Sequence, residues 1–519
     1  MLLSSYKRLF LFLLYVSLSY AYLMANIGIN EDSLLLIRKD KRIQGNYIIQ
    51  IEPEIQNIVR NPLMGWAIYC DAYNPDMEFW NKFDNIVVEG YEKPFKASDY
   101  ATHLYIRWPW SAFERSEGEY AWEYDDFLNL LEDGAIERGL KLAYRIYVDS
   151  RDYPTQSSPD YLREAGVQGF ISNTKIWSPY PDDPIFQEKY EKFIKAFAER
   201  YNNLSKVEYI DGYGLGKWGE GHSVIYKNNG NRENVFKWII DLYSKYFTEI
   251  PLALNYHRLI ASEKEWGTPD ANSENLLNYA YEKGYILRHD AFGMGDYYGD
   301  FEKKIVKKYF PKKPIIAENG WWHNGTTHWK GDPNGYKLWR DVWEQTLMDA
   351  LNANANILDL RNISETKSWF TTSFDLVEEF VSKGGYRIYP DSISLPKKIK
   401  RNQEIKIVHR WSNIGFGVCP TNIKPWNNQY KVGFALLNKK NENVDYLFID
   451  NTTDPSKWLK GYPISYNLSI LSNDILEGEY VWGIAIIDIR KNNKIGINLS
   501  AKGNLANSGW LKLCDVRVE

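Results

Sequence analysis

Two glutamates stand in text that suits them for chemistry. The first lies in Gly212-Tyr213-Gly214-Leu215-Gly216-Lys217-Trp218-Gly219-Glu220-Gly221-His222, where an apolar run from Val207 gives way to glycines. Glycine permits tight turns and close backbone approach, so this segment can deliver Glu220 to a strand mouth. The second ends the short run Pro314-Ile315-Ile316-Ala317-Glu318, directly before Asn319-Gly320-Trp321-Trp322. Two such carboxyl groups facing one cavity would suit cleavage of a glycosidic bond. One protonates the leaving oxygen, and the other attacks the anomeric carbon or activates water. The bland alternative for each is a structural ion pair, with Arg107 or Lys217 as partner.

Other residues could serve the same chemistry. Arg107 and Arg145, each late in an apolar run, are expected to orient Glu318 and keep it ionised. Trp108, Trp218, Trp321 and Trp322 are candidates to stack on sugar faces, with core packing as the alternative for any one of them. His222, Asn255, His257 and His289 complete the candidate substrate-binding set. The seven histidines show no paired ligand spacing, and Asp296, Asp300 and Glu302 lack metal-loop spacing. No metal and no cofactor is expected.

Positioning these residues requires a scaffold. Eight short apolar runs begin near residues 65, 103, 140, 207, 252, 286, 314 and 356. Helical text separates several of them. Asp183-Pro184 reads as a cap and first turn, followed at helical spacing by Phe186, Tyr190, Phe193, Phe197 and Tyr201. Strands alternating with helices imply a parallel sheet, and eight units imply a closed (β/α)8 TIM barrel. After residue 385 helical text stops, and alternating runs with Asn, Gly and Lys turns read as an antiparallel β-sandwich. The expected organisation is a signal peptide at 1–25, an N-terminal extension at 26–60, a catalytic barrel at 61–385 and a sandwich at 386–519. In such a barrel the site lies at the C-terminal ends of the strands, where Glu220 and Glu318 fall.

Composition narrows the function class. The 519 residues carry 63 Lys and Arg against 67 Asp and Glu, a formal charge of -4, which argues against a general binder of nucleic acid or anionic membrane. Aromatic residues make up 16% of the chain, as 20 Trp, 39 Tyr and 22 Phe, enough both to fill a core and to line a sugar cleft. Lys7 and Arg8 precede the apolar run Leu9 to Leu18, and Ser19-Tyr20-Ala21 supplies small residues before a cut. A secreted or periplasmic protein is expected, with no stable membrane insertion after cleavage. Cys70, Cys419 and Cys514 are too few for a disulfide scaffold, although Cys419 and Cys514 share the C-terminal region where one pairing is an option.

Certain motifs carry a resemblance. Ile316-Ala317-Glu318-Asn319-Gly320 resembles the strand-seven nucleophile segment of the clan of retaining (β/α)8 glycoside hydrolases. Arg107-Trp108, continuing through Glu117-Gly118-Glu119-Tyr120-Ala121-Trp122, is similar to an early segment of that clan. Asn61-Pro62-Leu63-Met64-Gly65-Trp66, Gly216 to His222, Gly385-Tyr386-Arg387 and Arg410 to Gly415 resemble a family joining a β-galactosidase-like barrel to a C-terminal sandwich of unknown function. The resemblance spans about residues 60–519. It implies Glu318 as nucleophile, Glu220 as acid/base and a poly- or oligosaccharide substrate. One position departs: many clan members carry Asn before the acid/base Glu, where it contacts the sugar 2-hydroxyl, and here it is Gly219. Asn255, His257 and His222 are candidates to supply that hydrogen bond. A non-catalytic carbohydrate-binding protein on the same scaffold is the alternative.

Overall fold

The computed structural model describes residues 28–29, 35–71, 73–151, 156–322 and 328–519. The expected signal segment lies outside the described residues. The chain divides into two compact units, one of residues 58–386 with 415–428, the other of residues up to 57 with 387–414 and 429–519.

The first unit is a closed eight-stranded parallel barrel. Its strands are β1 (Gly65–Cys70), β2 (Ala101–Pro109), β3 (Lys141–Tyr147), β4 (Val207–Asp211), β5 (Leu252–Asn255), β6 (Ile286–Phe292), β7 (Ile315–Asn319) and β8 (Ile357–Arg361). All eight coincide with the expected apolar runs. Side-chain period two splits each strand between two cores. One parity, including Trp66, Leu104, Leu142, Ile210 and Leu358, packs outward under the helices. The other forms an inner cluster to which every strand contributes, through Ala67, Tyr105, Ala143, Tyr209, Ala253, Ile286, Ile316 and Ile357, with Tyr69 as a second residue from β1. Small and large residues alternate around its first five positions, which lets rings from β2 and β4 fill a narrow interior. Leu63, Ile423 and Trp426 join the same cluster.

Helices follow most strands. In Pro184–Tyr201 the Asp183 carboxylate accepts the Ile185 and Phe186 N–H groups, the cap expected from the sequence and worth about 1 kcal/mol. Asp300–Tyr309 is a helix that the sequence pattern did not reveal. Its buried face is only Glu302, Ile305 and Val306, too narrow a stripe to register. After β1 the chain forms only the short helices Phe79–Phe83 and Ala97–Tyr100.

Among the described residues the second unit holds two six-stranded sheets, antiparallel apart from Lys398–Ile399 beside Leu511–Val518. Strand Glu404–Asn413 alternates buried and less buried positions along its length, as a one-sided strand must. His409 of that strand meets Phe434 and Asp450 of the other sheet. The unit is not contiguous in sequence. Leu36–Lys39 and Asn46–Gln50, within the extension expected at 26–60, belong to its first sheet, the latter paired with Ile388–Pro396. Residues 415–428, expected in the sandwich, group with the barrel instead. The three cysteines form no disulfide, so the Cys419–Cys514 option is not taken. Among the described residues no helix is long and apolar enough to cross a membrane.

Candidate active site

Two residues beyond those eight strand positions, the strands present polar side chains: Tyr69, itself still in contact with the cluster, then Arg107, Arg145, Asp211, Asn255, Arg288, Glu318 and Asp359. All are buried. Period two places them in the barrel interior at its C-terminal end, one layer above the apolar cluster. Arg361 follows Asp359 by two and is also buried.

Glu220 reaches this layer from the loop after β4. The loop folds back on itself: Gly219 N–H donates to Gly216 O at 3.1 Å, Glu220 N–H to Lys217 O at 3.1 Å, and Lys217 N–H to His222 O at 3.1 Å. Gly219 sits at φ +74°, and a Cβ there would lie 3.1 Å from Tyr147 Cβ and 3.2 Å from Arg145 Cδ. An Asn at this position would have to adopt the left-handed backbone, and Tyr147 and Arg145 would have to give way to its Cβ. Glu220 is only 4% exposed. Its Oε1 accepts from Arg107 Nη1 at 2.9 Å and Arg145 Nη1 at 3.2 Å, and His222 Nε2 lies 3.4 Å from its Oε2. Burial and the nearby Asp290 carboxylate push its pKa up, but the His222 hydrogen bond and the two guanidiniums outweigh them and hold it below the ordinary value.

Glu318, at the end of β7, is 3% exposed. Arg361 Nη1 donates to its Oε1 at 2.9 Å, and Arg288 Nη2 donates to its Oε2. This corrects an expectation. Arg107 and Arg145 serve Glu220, not Glu318, because they lie on β2 and β3, beside the β4 loop. Asp211 joins the two halves: Arg145 Nε donates to it at 2.7 Å, and Arg288 Nε lies 3.4 Å from the same oxygen. An unbroken chain of charge thus runs Glu220–Arg145–Asp211–Arg288–Glu318. Arg288, Arg361, Asp211 and Asp359 were missed from sequence. Their signal was available, since a charge inside an otherwise apolar buried strand must face a polar interior.

The remaining expected residues divide. Asn255 Nδ2 donates to the Glu220 carbonyl at 3.1 Å and to Asp290 Oδ1 at 2.8 Å. Burial alone would raise Asp290, but His289 and Arg288 lead the positive groups that hold it well below the ordinary carboxylate range. The His257 ring lies 4.8 Å from His222 and 6.2 Å from His289. Burial, then His222, keeps His257 well below the usual imidazole value, and its Nδ1 accepts the Leu259 N–H at 3.0 Å. Asp359 Oδ1 accepts the Asn319 N–H at 2.7 Å, and burial pushes this acid up to about 7. Among the described residues no group of His, Cys, Asp and Glu could hold a metal ion.

Two tryptophans are not available for stacking. Trp108 is fully buried, 5.6 Å from each of Phe113 and Phe127 between ring centroids, because Arg107 takes the inward position and the next residue must point outward. Trp322 is fully buried against Tyr336. Trp218 and Trp321 are half-buried. Lys217 Nζ lies 4.3 Å from the Trp218 ring centre. Trp321 meets Tyr297 at 4.9 Å, which meets Trp266 at 4.2 Å, and Trp266 is 53% exposed. These four rings come from the loops after β4 to β7. Trp266 and Tyr297 were not foreseen, since neither stands beside a strand-end charge in the sequence.

No protein-family model matches the chain, and no curated protein matches it. Among solved structures it is similar to the catalytic domain of β-amylase from Paenibacillus polymyxa, with 11% identity, TM-score 0.40, and coverage of 62% of this chain and 98% of that one. It is also similar to the endo-β-1,4-mannanase from Thermotoga petrophila, with 11% identity, TM-score 0.36, and coverage of 90% and 99%. A third is the exo-β-1,4-mannosidase Op5Man5 from Opitutaceae bacterium strain TAV5, with 13% identity, TM-score 0.36, and coverage of 64% and 58%.

Proposed function

We propose that this chain is an exported glycoside hydrolase that cleaves a poly- or oligosaccharide with retention, using two glutamates. The observation that carries the reading is the delivery of Glu220 and Glu318 to one end of the barrel, linked through Arg145, Asp211 and Arg288. Glu318, paired with two guanidiniums, is the nucleophile, and Glu220 is the acid/base. The half-buried rings of Trp218 and Trp321 offer flat apolar faces to a sugar. Export rests on the apolar run after Lys7 and Arg8.

A second reading, a non-catalytic carbohydrate binder, is favoured by one observation: each glutamate is engaged by two arginines. A panel of polysaccharides and aryl glycosides separates the two. Hydrolysis by the wild type that vanishes in Glu318→Gln, with the circular dichroism spectrum unchanged, supports the enzyme. Sugar binding without cleavage by either protein supports the binder.

A further inference from the structure

The two oxygens of Glu220 have different surroundings. Oε1 takes both arginine hydrogen bonds, while Oε2 faces His222 Nε2. With two guanidiniums on Oε1, a proton arriving at this carboxyl group must settle on Oε2, beside the imidazole. His222 is braced on its other side, where Nδ1 lies 3.0 Å from Ser223 Oγ, and it is buried. The charged and titratable groups around it are Glu220 on its own loop, backed by Arg107 of β2 and Arg145 of β3, then His257 after β5 and Asp290 of β6. His257 is held neutral and its Nδ1 is occupied by the Leu259 N–H. Asp290 accepts a hydrogen bond from Asn255. Of the groups around Glu220, His222 is the imidazole placed on its free oxygen.

Resting on the glycosidase reading, we infer that His222 and Glu220 act as one acid, with the proton stored on His222 and delivered through Glu220 Oε2. His222 is thus a positioning residue that acts through the carboxyl group. In the first step Glu318 bonds to the anomeric carbon as the glycosidic C–O bond breaks. The leaving oxygen takes a proton from Oε2, which is refilled from His222 Nε2, leaving a neutral imidazole. In the second step a water oxygen bonds to the anomeric carbon, the bond to Glu318 breaks, and the water's proton returns through Oε2 to His222. The two arginines occupy Oε1, and the imidazole nitrogen stands on the oxygen that they leave open, so the proton has one route to the carboxyl group.

The test is His222→Gln in the full chain. The expected result is a kcat/KM loss of at least ~100-fold on glycosides with alkoxide leaving groups, and a much smaller kcat/KM loss on a dinitrophenyl glycoside, whose departure needs no proton. The basic limb of the pH–rate profile changes with it. Equal losses on both substrates with an unchanged profile overturn the inference. Imidazole NMR titration gives a second measurement independent of turnover, the His222 signals being assigned by their loss in His222→Gln. In Glu220→Gln the His222 midpoint is expected to fall by about one pH unit, and an unchanged midpoint overturns the pairing. If the wild type cleaves no glycoside, the hydrolase reading fails, while the titration still judges the pair.

Discussion

Replacing Arg145 by Met tests how the barrel mouth is held. Methionine keeps the apolar stem and removes the charge. Arg145 is fully buried and donates Nε to Asp211 at 2.7 Å and Nη1 to Glu220 at 3.2 Å. Its loss leaves Asp211 with Arg288 Nε at 3.4 Å and the Tyr105 hydroxyl at 3.2 Å, and Glu220 with Arg107 and His222. Breaking a buried ion pair on one side costs about 3–5 kcal/mol. Because both carboxylates keep a second cation, the low end applies, about 3 kcal/mol, or roughly a hundredfold in the unfolding constant. The assay is native-state hydrogen exchange on the slowest amides of β3 and β4, which report the opening of this unit. A double-mutant cycle with Asp211→Asn should then show a coupling of ~1 kcal/mol or more. A loss below ~1 kcal/mol with no coupling would refute the claim that this chain of charges holds the mouth together.

Trp108→Ala is expected to cost about 3–5 kcal/mol, while Trp218→Ala stays within about 0.5 kcal/mol of wild type and weakens oligosaccharide binding; urea unfolding and calorimetry read the two effects. Asp359 has a pKa raised to about 7, so its stabilising contribution is complete below its unfolded value and is lost as pH rises through about 7. Asp359→Asn should therefore flatten the stability profile between about pH 4 and 7 and exceed wild type at pH 8 in urea midpoint. Gly219→Asn should lower rather than raise activity. The added Cβ presses on Tyr147 and Arg145, at a cost of about 1–3 kcal/mol visible in thermal melting.

The barrel was legible because each strand is a short apolar run and the helices show their period plainly, as in Phe186 to Tyr201. The helix at Asp300–Tyr309 was not, since its buried face includes a glutamate and only two aliphatic residues. Glu220 and Glu318 were proposed from their places after apolar runs, and the structure sets Glu318 in β7 and Glu220 in the loop after β4. Their partners were misassigned because pairing follows strand adjacency in the closed ring, and sequence order does not display adjacency between distant strands. Trp108 and Trp322 were misread as well. Trp108, next to Arg107 in one strand, lies on the opposite face of that strand, while Trp322 follows the end of β7 and packs against Tyr336. Trp266 and Tyr297 lie in loops with no pattern, and their stacking with Trp321 is visible only in three dimensions.

The interleaving of the two units bears on how the protein is made. Asn46 hydrogen-bonds to Ser394, 348 residues later, so a strand made early waits for its neighbour through nearly the whole barrel. At ~5–20 residues per second that interval is roughly 17–70 s of synthesis. The barrel waits too, because Ile423 and Trp426 of its inner cluster emerge only after the first strands of the other unit. An unpaired edge at residues 46–50 is thus exposed to chance pairing for that time. A fragment stopped at residue 386 would lack two side chains of its own core, and dividing this protein for expression between the units would need four cuts rather than one.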